Sequence, residues 1–136
     1  MTPSKRTLYL VLTLSVLAAV SLACGTGYQT SSKLAGNSGE VRLKMKDPSG
    51  TNSTSVEISE DWPGELLAVN ATLSVEAGSC RATLSGADGT QLVLDASAGS
   101  PAEEYGELIT DVFGDFSLQT DCQGGQNLEL LITFSY

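Results

Sequence analysis

The chain has 136 residues, 16 acidic and 7 basic, with three cysteines and no histidine. Its net charge of −9 sets up a field that repels nucleic acid and anionic lipid. Without histidine, Ser-His and Cys-His nucleophilic sites and most zinc sites are ruled out, which leaves a non-catalytic role as the expectation.

Lys5 and Arg6 precede Thr7 to Ala23, 17 uncharged residues rich in Leu, Val and Ala. A basic start, an apolar run and a small residue at the cut make up a secretory signal. The run is shorter than the roughly 20 apolar residues of a membrane span. The stretch Val20-Ser21-Leu22-Ala23-Cys24-Gly25 resembles the lipobox of bacterial lipoproteins, where signal peptidase cuts before a cysteine that carries diacylglycerol. Ala23 is the small residue at the cut, while Ser21 stands where that family usually has Leu. The resemblance implies that residues 1–23 form a signal helix and that Cys24 is the lipidated mature N-terminus. Such a cysteine carries two or three acyl chains, enough for a durable tether where a single chain is not. It also implies an extracytoplasmic place on the cell membrane, or on an outer membrane where one exists, because Gly25 rather than Asp follows the cysteine. An uncleaved anchor and plain secretion are the alternatives.

The remaining 113 residues suit one domain. They hold five bases and all 16 acids, a net charge of −11. Gly25 to Gly39 is small and polar and reads as a flexible linker with a reach of roughly 20 Å. The expected domain is therefore 40–136, with 24–39 as its lipidated linker.

After the linker the hydrophobic period is two. Val41, Leu43 and Met45 alternate with Arg42, Lys44 and Lys46, which predicts a half-buried strand with a basic outer face. Pro48-Ser49-Gly50 turns the chain into a second strand near 53–60. Leu67, Val69, Ala71, Leu73 and Val75 share one face of a third, which Ala77-Gly78-Ser79 breaks. Cys80, Ala82 and Leu84 point inward in a fourth. Asp88-Gly89 is the strongest hairpin signal and leads to a fifth strand with Leu92 and Leu94. The stretch 96–104 reads as a loop. Strands resume at 105–112 and 115–120, and Gln123-Gly124-Gly125 leads to a last strand with Leu128, Leu130, Ile132 and Phe134 inward. About eight short strands with turn chemistry between them predict an all-β antiparallel sandwich, jelly-roll-like, with an immunoglobulin-like sandwich as the alternative.

Cys80 and Cys122 are an even pair 42 positions apart, and in an oxidising compartment such a pair reads as a disulfide. Trp62, the one tryptophan, lies in a turn. It either plugs the end of the core or offers a platform for a sugar ring. Asp111 and Asp115 flank a tight turn and are the candidate calcium ligands; solvated turn carboxylates, with Asp115 as the cap, are the bland reading. No other cofactor is expected. The partners expected are the membrane through the lipid, a protein or an envelope polysaccharide, and a second copy of the chain through its basic first strand. A surface-displayed carbohydrate-binding module, stabilised by calcium, is the alternative function.

Overall fold

The computed structural model describes residues 28–136. The signal segment 1–23 and Cys24 lie outside the described residues. Nine strands follow in chain order: β1 (Tyr28–Ala35), β2 (Ser38–Met45), β3 (Gly50–Glu57), β4 (Leu66–Ser74), β5 (Ala77–Ser85), β6 (Gln91–Ser97), β7 (Ala102–Ile109), β8 (Asp115–Gln126) and β9 (Leu128–Ser135).

They form two sheets, a five-stranded one in the order β1-β2-β9-β4-β7 and a four-stranded one in the order β3-β8-β5-β6. Every pairing is antiparallel. Set β1 aside, and the other eight strands run first-eighth-third-sixth in one sheet and second-seventh-fourth-fifth in the other. That interleaving is the jelly-roll order, so the immunoglobulin-like alternative is corrected.

The alternation in the sequence is the alternation of burial. Val41 and Leu43 of β2, Leu67 to Leu73 at every second position of β4, and Leu128 to Phe134 at every second position of β9 point into the sandwich. Leu84, Leu94, Phe116 and Leu118 of the smaller sheet complete the core with them. Each such side chain contributes about 1.5–3 kcal/mol by leaving water. Cys80 and Cys122 face each other directly in the β5–β8 pairing and are joined by a disulfide buried within the same core.

Four sequence expectations are corrected. The linker reading of 25–39 fails from residue 28 onward: all eight residues of β1 pair with β2, across a two-residue hairpin loop, Gly36-Asn37, with Gly36 at φ +63°. Residues 29–35 are all exposed, so β1 carries no alternation to be read. Ala77-Gly78-Ser79 belongs to β5, where the register against β8 shifts at a bulge between Ala77 and Ser79. The loop expected over 96–104 shrinks to 98–101, because β6 extends to Ser97 and β7 begins at Ala102. Gln123-Gly124-Gly125 is inside β8, whose Gly124 adopts φ +61° near that bulge. The expected hairpin at Asp88-Gly89 does join β5 to β6, through residues 86–90. Asp88 accepts hydrogen bonds from the Thr90 amide and hydroxyl, which hold its carboxyl below the usual range.

Candidate functional site

The loop after β3 (58–65) and the turn between β7 and β8 (110–114) meet at one end of the sandwich. Thr110 is buried and links them. Its hydroxyl donates to the Trp62 carbonyl at 2.5 Å and accepts from the Glu65 amide at 2.9 Å. Its own amide donates to the Glu65 carbonyl at 3.0 Å. A buried hydroxyl costs stability unless it is paired, and this one is paired both ways.

Asp111 organises the turn. One carboxylate oxygen, Oδ1, accepts from the amides of Phe113 at 2.8 Å and Asp115 at 2.9 Å. The Asp111 carbonyl accepts from the amides of Gly114 and Gly64, each at 3.0 Å. Gly114 turns through φ +79°, and its carbonyl accepts from the amides of Ile58 and Ser59 at 3.2 Å. The turn is thus fixed to its neighbour by main-chain bonds on both sides.

At the apex of this fixed turn, Val112 is 79% and Phe113 72% exposed. Large apolar side chains normally gain by burial. Two adjacent ones held in water by a turn without slack are informative, where a single exposed leucine on a sheet is not. Glu57, Glu60, Asp111 and Asp115 make the surround acidic. Burial, and then the charges of Asp111, Glu57 and Glu60, push the Asp115 carboxyl above its usual range.

The geometry gives the two candidate calcium ligands, Asp111 and Asp115, different places in the turn. Asp111 Oδ1 is occupied by two backbone amides, and Asp111 rather than Asp115 caps the turn. Among the described residues, no three of His, Cys, Asp and Glu gather to hold a metal ion. Trp62 takes the plug position. It packs against the core, with its ring edge-on to Phe134 at 5.9 Å and tilted against Tyr136 at 5.9 Å. Val112 and Phe113 escaped the sequence reading. The signal was there: two apolar neighbours between Asp111 and Gly114 interrupt the period of two inside a turn.

Asp115 gives a pH test. A carboxyl whose pKa is raised by folding destabilises the fold when charged. That cost is present at neutral pH and is relieved as pH falls through its folded pKa. Asp115→Asn is therefore expected to gain about 0.5 kcal/mol at pH 7, the scale of a surface substitution. The gain should fade toward pH 4, near the ordinary carboxylate value of about 3.9. Thermal melts of both proteins across that range check it, and a variant less stable at pH 7 would contradict it.

No family model matches the sequence, and no curated protein matches it. Several solved structures are similar at low identity. Peruvianin-I, a cysteine peptidase from Thevetia peruviana latex, is 11% identical over 82% of this chain and 63% of its own, with a TM-score of 0.45. A structure of Bacillus endospore appendages, described as disulfide-linked pili, is 12% identical over 81% of this chain and 91% of its own, with a TM-score of 0.46. A carbohydrate-binding module from Cellvibrio mixtus lichenase 5A, in complex with cellotriose, is 15% identical over 82% and 88%, with a TM-score of 0.36. The chain spans less than two thirds of peruvianin-I. Likenesses of this strength carry no functional argument, and the fold assignment rests on the strand order.

Proposed function

We propose that this chain is a lipid-anchored, extracytoplasmic binding protein without catalytic activity, and that it engages a protein partner through the Val112–Phe113 turn. The carrying observation is the pair of exposed apolar side chains on a turn fixed by main-chain hydrogen bonds. An anchor that is already rigid loses little entropy on binding, and aromatic anchors supply much of the energy of interfaces. The buried disulfide suits an oxidising compartment.

The placement of the turn supports the same reading. β1 and β7 run in the same direction, since four antiparallel steps separate them in the sheet. Tyr28 therefore starts at the end of the sandwich opposite the one where β7 finishes at Ile109 and the turn begins. Cys24 precedes Tyr28 by four positions, a reach of at most about 14 Å. An eight-residue strand is roughly 27 Å long. A domain tethered at Cys24 would hold its turn about that far from the lipid, pointing away.

The test uses the full-length chain in cells, with a photoreactive amino acid at position 113 and, as a control, at the exposed sheet position Val93. A discrete adduct from 113, absent from 93 and lost when Val112→Asp is added, is the expected result. No discrete adduct, or the same adducts from both positions, would overturn the binding role of the turn.

A further inference from the structure

The two edge strands of the five-stranded sheet are β1 and β7, and they carry opposite charge; among the described residues β7 is covered only at Ile109, whose carbonyl accepts from the Ala87 amide at 2.8 Å. Lys33, Arg42 and Lys44 lie on β1 and β2, and Lys46 follows directly. From Asp47 onward there are 15 acids and a single base, Arg81. That base is on the other sheet, bound to Asp95 at 2.7 Å. Arg42 lies between Glu40 and Glu129, at 3.5 and 3.4 Å. No ion pair forms to Lys33 among the described residues.

The register places these charges on one face. Lys33 lies in a row with Glu40, Thr133, Asn70 and Tyr105, strand by strand across the sheet. Tyr105 is 70% exposed at the far end of that row. Glu103 and Glu107 are its neighbours on the same face of β7. The Asn70 side chain donates to Glu103 at 3.0 Å, which shows that Glu103 lies along that face. One edge thus presents a single cation, and the other an aromatic ring between two carboxylates.

β1 itself has no evident structural use. Residues 29–35 are all exposed, and β1 is held by its pairing with β2. Exposed edges are commonly protected by several charges, proline or a bulge. The β1 sequence, Tyr-Gln-Thr-Ser-Ser-Lys-Leu-Ala, has no proline and one charge, and its pairing with β2 is unbroken.

We propose that the β1 edge of one copy pairs with the β7 edge of a second copy, seating Lys33 over Tyr105 between Glu103 and Glu107. The strands at this junction are parallel, because β1 and β7 run the same way. The five-stranded sheet then continues from copy to copy. It is one strand wider than its partner sheet, which leaves about 4.8 Å of clearance between neighbouring smaller sheets. The contact is heterologous, so it propagates into an open array that winds with the sheet twist. The electrostatic part is salt-sensitive, and the lysine over the ring adds a cation–π contribution.

Zero-length carbodiimide cross-linking of the full chain in its membrane tests this. Within one copy, β1 and β7 are four strand spacings apart, about 19 Å, too far for a bond between Lys33 and Glu103 or Glu107. The expected result is a Lys33–Glu103 or Lys33–Glu107 linked peptide, spanning light and heavy chains in an isotope mixture, with a ladder of dimers and higher species. Lys33→Glu should abolish the ladder, and adding Glu103→Lys with Glu107→Lys should restore it. Absence of the linked peptide in the unaltered chain, or a ladder unchanged by Lys33→Glu, would overturn the proposal. Neither outcome depends on the Val112–Phe113 turn.

Discussion

Replacing Cys80 and Cys122 together by alanine is expected to cost about 4 kcal/mol of folding stability. The bond closes a stretch of 42 positions, which includes all of β6 and β7 and most of β5 and β8. Opening it returns that loop's freedom to the unfolded chain. The two residues are also opposite one another in the β5–β8 pairing and buried, so the bond adds no exposed surface. Small domains have only about 5–15 kcal/mol to lose, and a cost of this size would leave the reduced fold marginal. Urea denaturation checks it. The midpoint should fall sharply for the double alanine variant, and reduced wild-type protein should fall by a similar amount. A midpoint that reductant leaves unchanged would show that the cross-link contributes nothing.

Gly114→Ala is the second large effect. An added Cβ would sit 1.8 Å from the Ser59 carbonyl oxygen, and this contact cannot be relieved by turning a side chain, because the obstacle is main chain. The residue also adopts φ +79°, a conformation that costs an L-residue about 1–2 kcal/mol by itself. The expected loss is about 3 kcal/mol or more, together with loss of the photo-adduct at position 113. Gly89→Ala separates the two causes. Gly89 has φ +86° but nothing within 4 Å of its added Cβ. It should show the backbone cost alone, about 1–2 kcal/mol. Equal losses at the two positions would mean that the 58–65 loop yields and that the turn is not held as tightly as its hydrogen bonds indicate.

The strands that line the core were legible because a half-buried strand writes its burial into the sequence at every second residue. Val41 and Leu43, Leu67 to Leu73, and Leu128 to Phe134 are such runs. β1 was not legible in this way: residues 29–35 are all exposed, and a strand held by main-chain pairing leaves no pattern. Only Gly36-Asn37, a two-residue hairpin signal, hinted at it. The glycines at 78, 124 and 125 read as breaks, whereas the chain uses them at a bulge. There Gly78 lies so close to the Gly124 carbonyl that a Cβ would come within 2.3 Å. Both turn aspartates were visible, but which of them caps depends on the direction of the amides, and that is a tertiary fact. The disulfide needed little more than two cysteines and a compartment. Trp62 was visible in the sequence, but the packing of its ring edge-on to Phe134 is a tertiary fact.

In the proposed role a tether at Cys24 would set the orientation of the domain, because the turn faces a partner only if the opposite end is held. The decisive measurement is the mass of the N-terminal peptide of the protein recovered from the membrane fraction of its own cells. A peptide that begins at Cys24 and carries two or three acyl chains is the expected result. A peptide that begins elsewhere, or an unmodified Cys24, would contradict the tethered display of Val112 and Phe113.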